Sequence, residues 1–199
     1  MHTQAQTFIF FGVAGSGKGT QVKLLMDFLK DKTGKDCIYA GTGDGFRALL
    51  SSGSYTAGLI KSSMERGDIQ PDFLANTIII NTLISYLNPD AHLATDGYPR
   101  TLAQAKEFEI MMKFFKREHL KIINIELTKV EAIKRNMLRG RHDDTEEVVV
   151  KRFNEHQEII VPAMNYLKGC DGFEFYEING EQSIEQVHVE ILKALNLNN

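Results

Sequence analysis

Between Thr7 and Thr20 the chain passes from a short apolar run, Thr7–Gly12, into a loop with glycines at 12, 15, 17 and 19 and a lysine at 18. A helical pattern over Gly17–Leu29 begins inside that loop, with Val22, Leu25, Met26 and Leu29 spaced i, i+3, i+4, i+7. A buried strand that turns into a helix through so many glycines leaves few folds open. The glycines admit backbone conformations in which successive N–H groups converge on one anion. The helix N-terminus adds its positive end, and Lys18 adds a mobile charge. The spacing is G-x-x-x-x-G-K, except that Gly19 stands where Ser or Thr ordinarily follows the lysine and Thr20 comes next. A nucleotide phosphate fits this arrangement, with Gly12, Ala14, Gly15, Ser16, Gly17, Lys18, Gly19 and Thr20 as its candidate contacts. The loop alone does not separate GTPases, motor ATPases and small-molecule kinases.

The rest of the chain repeats the same alternation. Further strand candidates are Cys37–Ala40, His92–Asp96, Lys121–Leu127 and Phe173–Ile178, mostly continuous in apolar character, as strands covered on both faces are. Helical patterns fall at 46–50, 55–65, 71–87, 102–116, 130–139, 146–167 and 184–195. Pro71 suits a first helical turn. Asp144 with Glu147 resembles a capping box. Strand–helix alternation predicts an α/β fold in three α/β/α layers around a five-stranded parallel sheet, with ligands bound at the carboxyl ends of the strands.

With 199 residues the chain fits one domain, and its net charge of −3 argues against a broad nucleic-acid surface. The apolar run at 8–11 has no cationic segment before it and enters the glycine loop, so it reads as a strand and not a signal peptide. The stretch 73–87 is broken by Asn76, Thr77, Asn81 and Thr82 and is too polar for a membrane span. Cys37 and Cys170 are far apart and in no metal-ligand spacing. Two free, buried thiols in a reducing compartment are expected, with a cytoplasmic location and no structural zinc.

The variant Gly17-Lys18-Gly19-Thr20-Gln21 resembles the adenylate kinases and their relatives among the nucleoside monophosphate kinases, and further motifs extend the likeness over nearly the whole chain. Thr42-Gly43-Asp44 with Arg47 resembles Thr-Gly-Asp-x-x-Arg, and Gly67-Asp68-Ile69-Gln70-Pro71-Asp72 the turn closing an acceptor-binding insertion at 41–71. Asp96-Gly97-Tyr98-Pro99-Arg100, with Gln104 beyond, resembles the Asp-Gly-Phe-Pro-Arg signature after the third strand. Arg135, Arg139, Arg141 and Arg152 match the family's lid arginines, and Asn179-Gly180 with Gln182 and Ile184 the loop over the donor adenine.

The resemblance implies reversible phosphoryl transfer from Mg·ATP to AMP, giving two ADP. Lys18, Arg100, Arg139, Arg141 and Arg152 would be catalytic, and Arg135, Arg139, Gln182 and Ile184 would join the phosphate loop in holding ATP. Thr42, Gly43, Arg47, Ile69, Gln70, Gly97, Arg100, Gln104, Arg141 and Arg152 would hold AMP, and Asp44 and Asp96 would serve Mg²⁺ through water. Transfer of this kind needs positioning and charge more than a base, so His142 reads as a solvated lid residue. The expected partners are ATP, AMP and ADP, with no nucleic acid and no membrane, and a monomer is expected. Alternatives are a monophosphate kinase for another base (GMP, UMP or CMP), a nucleotide-binding regulator with weak turnover, and a P-loop ATPase with a protein partner.

Four positions depart from the pattern. Ala14 replaces a Pro, which leaves the loop less pre-set; Tyr98 replaces a Phe; and Gln70 replaces a Val near the acceptor base. In the short lid, 139–144, the single residue Gly140 separates Arg139 from Arg141, so closure would be a small loop movement that excludes water less completely.

Overall fold

A computed structural model describes residues 4–139 and 145–197. Five strands form one parallel sheet in the order β2-β3-β1-β4-β5: β1 Thr7–Phe11, β2 Cys37–Gly41, β3 His92–Asp96, β4 Leu120–Glu126 and β5 Phe173–Asn179. All of β1 is buried, as its uninterrupted apolar sequence requires of a central strand covered on both faces. Against one face lie α1 Lys18–Thr33 and α9 Ile184–Ala194, packed on Phe8, Phe10, Ile123 and Ile178. The other face carries α4 Asp72–Tyr86, α5 Leu102–Phe114 and α8 Val161–Lys168 over Ile9, Phe11, Leu93 and Ile122.

The register decides where the site lies. Phe10 pairs with Asp96 and Gly41 with Asp96, so the carboxyl ends of β1, β2 and β3 finish side by side. The glycine loop, the start of α2 Thr42–Ser51 and the Asp96–Arg100 segment therefore meet at one edge of the sheet. This is the crevice where the strand order reverses, the usual ligand position in such sheets. Between β2 and α4 stand only α2 and α3 Tyr55–Glu65, and α6 Lys129–Arg139 and α7 Glu146–Glu155 follow β4.

Local chemistry moves several expected boundaries. Thr42, Gly43 and Asp44 form the first turn of α2 and do not precede it. Pro71 is extended (φ −50°, ψ 137°) and stands just ahead of α4. The cap of α7 is Thr145, whose hydroxyl accepts from Val148 N, and the Asp144 of the expected capping box lies outside the described residues. The single helix expected over 146–167 is interrupted by a π-helical turn, His156–Ile160, in which Val161 N donates to His156 O. Pro162 explains it: proline has no N–H to donate and its ring collides with the carbonyl four residues back, so the helix widens just before it. Tyr98 is buried, and its hydroxyl donates to Asn76 Oδ1 on α4 at 2.9 Å, so the change from Phe gains a partner. Both cysteines are free and half-buried, less covered than expected, and burial pushes the Cys37 thiol up to about 12. Among the described residues no helix is long and apolar enough to cross a membrane.

Candidate active site

Gly12, Gly15 and Gly17 have φ of 140°, 86° and 89°, values other residues rarely adopt, which is why the loop alternates as it does. At Gly12 the backbone leaves no room: an added Cβ would stand 2.5 Å from Ile125 O and 2.8 Å from Ser16 Oγ. Ser16 Oγ is buried without a protein partner among the described residues, as suits a hydroxyl that meets a phosphate oxygen. Lys18 is half-buried, and its ammonium is held by the loop, donating to Gly12 O at 2.5 Å and Val13 O at 3.0 Å. Burial lowers its pKa to about 8; Asp96 opposes that shift, and Arg100 and Arg139 add to it. Lys18, Asp96, Arg100 and Arg139 thus share one electrostatic field.

Asp96 ends β3 against the N-terminus of α1, with Oδ2 3.2 Å from where a Cβ on Gly19 would be, and it accepts from Tyr39 Oη at 3.3 Å. Arg100 donates through Nε to Gly97 O at 2.9 Å, and Thr42 Oγ1 donates to the same carbonyl at 2.9 Å. Gly97 has a positive φ (69°), which strains any other residue, and a Cβ there would also press on Arg100 Nη2 at 2.9 Å. Burial and the neighbouring Arg152 lower the Arg100 pKa against the pull of Asp96.

The remaining acceptor candidates have internal partners. Gln104 is buried; its Oε1 accepts from Arg100 N at 2.8 Å and its Nε2 donates to Asp72 Oδ1 at 2.8 Å. Gln70 accepts from Ser63 Oγ at 2.9 Å and donates to Asp68 O at 2.8 Å, so its amide serves the turn. Arg47 is paired with Asp44 on the surface of α2, beside Gly43, whose added Cβ would meet Arg47 Nη1 at 3.4 Å. Ile69 is half-buried in the same turn as Gln70. The turn meets α7: Asp68 pairs with Lys151, and a Cβ on Gly67 would lie 2.8 Å from Arg152 Nε.

Opposite these, Arg135 donates to Gly180 O at 2.8 Å and to Glu131 Oε1 at 2.9 Å. Gln21, buried in α1, donates to Ile184 O at 2.8 Å, and Gln182 Nε2 donates to Glu190 Oε2 at 2.5 Å. The Asn179–Ile184 loop is thereby tied to both the phosphate-loop helix and α6. Arg141, with the rest of the lid at 140–144, lies outside the described residues.

Three residues that no motif singles out for a role of their own touch the candidate site. Asp72 anchors Gln104 and also accepts from Thr101 Oγ1 at 3.0 Å. Asn136 contacts the phosphate loop. His156, in the π turn, is buried with neither ring nitrogen partnered among the described residues. Burial and the charges of Lys18 and Arg100 push its pKa down to about 4, so it is neutral at pH 7. No spacing rule would have found these, because each acts through a contact remote in sequence.

A phosphate loop facing an arginine-rich second site across the ends of β1 and β3 defines a P-loop nucleoside monophosphate kinase. The adenylate kinase family model matches residues 10–171. The adenylate kinases of Rickettsia akari (strain Hartford) and Rickettsia conorii (strain ATCC VR-613 / Malish 7) are each 29% identical over 96% of this chain and 99% of their own length. That of Leptospira biflexa serovar Patoc (strain Patoc 1 / Ames) is 31% identical over 94% and 98%. The chain belongs to the adenylate kinase family, and it is accordingly a nucleotide-binding phosphotransferase.

Proposed function

We propose that this site carries out reversible transfer of the γ-phosphoryl of Mg·ATP to AMP, giving two ADP. The observation that carries the reading is the shared field of Lys18, Asp96, Arg100 and Arg139, flanked by a donor side (Gln21, Arg135, the 179–184 loop) and an acceptor side (Thr42, Arg47, Gln104). An oxygen of the AMP phosphate attacks the γ-phosphorus, the bond to the β–γ bridging oxygen breaks, and that oxygen leaves on ADP. Charge spreads over the moving group, so stabilisation by positioned cations supplies most of the catalysis. Guanidinium groups fork onto phosphate oxygens, which suits Arg100, Arg139, Arg141 and Arg152 to the task.

The donor set also fits Mg²⁺. Asp96 presents a carboxylate to the phosphate loop, and no three His, Cys, Asp or Glu side chains cluster as metal ligands among the described residues. An ion here would rest on phosphate oxygens and water, with Asp96 outside that shell. When bound, Mg²⁺ neutralises charge on the donor phosphates. Arg47 would leave Asp44 for the acceptor phosphate, releasing Asp44 toward the same water shell. The insertion 41–71 would close over AMP and the loop 139–144 over ATP. The half-buried free thiols suit a reducing compartment, so we place the protein in the cytoplasm, acting as a monomer on small nucleotides. The test is a coupled assay of ADP production from ATP and AMP with and without a chelator. Magnesium-dependent ADP production supports the reading, and none with AMP overturns it.

A further inference from the structure

Asn136 is an amide where the inward face of α6 otherwise buries apolar surface, and it is fully buried. A buried primary amide is costly unless its polar atoms are paired. Here both ends are used. Nδ2 donates to Ala14 O at 2.8 Å and to Ala132 O at 2.7 Å, and Oδ1 accepts from Arg139 Nη2 at 2.7 Å. The loop backbone rests directly on this amide, since a Cβ on Gly15 would lie 2.5 Å from Nδ2. One side chain therefore joins the outer side of the phosphate loop to an arginine that shares the field of Lys18.

We propose that Asn136 is a positioning residue: it fixes the phosphate loop at Ala14, where no proline stiffens the backbone, and holds Arg139 in register with that loop. This rests on the reading of the loop as the donor phosphate site and of Arg139 as a contact of the moving phosphoryl group. The two functions separate by chemistry. Loss of the donors loosens the loop and weakens ATP binding, whereas loss of the acceptor removes the bond that ties Arg139 to the loop and slows transfer. Neither touches the acceptor side, which depends on Thr42, Arg100 and Gln104.

The test compares Asn136→Leu, which keeps the branching of the side chain but not its polar atoms, and Asn136→Ser, which removes both reaches without adding bulk, in steady-state kinetics on the folded fraction. We expect KM for ATP to rise at least ~5-fold, kcat to fall at least ~10-fold, and KM for AMP to stay within ~2-fold. In an Arg139→Ala background, the further kcat loss from Asn136→Leu should shrink below ~2-fold while the ATP effect persists, because residues acting as a unit are not additive. An amide that merely fills the core would lower thermal stability and leave KM for ATP unchanged; that result in either variant, or additive kcat losses, overturns the proposal. If Lys18→Met and Arg139→Ala each lower kcat by at least ~10-fold and the Asn136 variants do not alter it, only the Asn136 assignment fails. If Lys18→Met and Arg139→Ala leave transfer intact, the donor-site reading falls and this inference with it.

Discussion

On the proposed donor side the recognition surface is mainly backbone: glycines at positive φ and the start of α1, with the buried hydroxyl of Ser16, which has no partner among the described residues. On the acceptor side it is side chains, and these are already engaged: Gln104 with Arg100 and Asp72, Gln70 with Ser63 and Asp68, Arg47 with Asp44 and Thr42 with Gly97. A backbone cradle is rigid and indifferent to what the phosphate is attached to. A set of paired side chains accepts a ligand by exchanging or sharing bonds, so a wrong ligand leaves polar groups unpaired and is rejected strongly. Under the proposed function, affinity for phosphate and discrimination between bases fall to opposite halves of one site.

Removing the charge from the donor half should have the largest effect. Lys18→Met is expected to lower kcat by ~10³-fold or more, about 4 kcal/mol of transition-state stabilisation, with the fold retained, because Lys18 bonds carbonyls of its own loop and fills no core space. Circular dichroism checks the fold and the ADP assay the rate. Retention of more than about a tenth of wild-type kcat, a loss under ~1.4 kcal/mol, would remove the donor half from the mechanism.

Discrimination by the acceptor half comes next. Gln104 keeps one amide hydrogen and one lone pair beyond its internal bonds, and these match the N1 acceptor and N6 donor of adenine. AMP should exceed UMP and CMP by at least ~100-fold in kcat/KM, about 2.7 kcal/mol, with GMP the strongest competitor. A pyrimidine monophosphate equal to AMP in the same panel would show that the paired side chains do not read the base.

Asp72 allows a finer cut. With Asp72→Ala the Gln104 amide loses the carboxylate that fixes its face, and Thr101 Oγ1 loses the same acceptor. KM for AMP should rise ~10-fold, the preference over GMP should narrow, and KM for ATP should not move, as expected when one hydrogen bond to a charged group is removed. A change in KM for ATP would mean that the halves are mechanically joined.

The sequence made the skeleton plain because the strands are mostly apolar runs and the phosphate-loop glycines at 12, 15 and 17 take positive φ. His92–Asp96 and Tyr55–Glu65 fall where the patterns put them. Boundaries that depend on hydrogen bonding were less legible: Thr42 reads as a loop residue yet opens a helix, and the π turn at His156–Ile160 arises from Pro162 acting on residues before it. The motifs named Lys18, Asp96 and Arg100 as candidates because each stands in a short segment with its own signature, and the fold brings the three segments together. They did not single out Asn136, which reaches Ala14 across the fold, or His156, which lies in the field of Lys18 and Arg100, and they did not show that Asp72 holds Gln104. The engagement of Gln70 with Ser63 and Asp68 was equally hidden, since an amide in a sequence does not show which bonds it has already made.

The smallest effect expected concerns the contact between the acceptor turn and α7. Asp68 pairs with Lys151 and, at 2.8 Å, with Arg66, while Gly67 (φ 75°) brings the turn against Arg152. Lys151 and Arg66 hold the Asp68 carboxyl below the usual range. A depressed carboxylate pKa gives a contribution that is complete above the unfolded value and lost only as pH falls through the folded one, so the pairing should be constant from pH 6 to 8 and fade below about 4. The groups are partly exposed, and such a pair contributes at most about 1 kcal/mol. Lys151→Met should therefore lower kcat/KM for AMP by less than ~5-fold, with no pH dependence between 6 and 8, and the deficit should narrow in high salt because screening weakens the wild-type pair as well. Measuring kcat/KM for AMP and for ATP at pH 6 and pH 8, each at two salt concentrations, checks all three features. A loss beyond ~10-fold in the AMP term would show that Lys151 contacts the nucleotide itself, and the acceptor half would then extend onto α7.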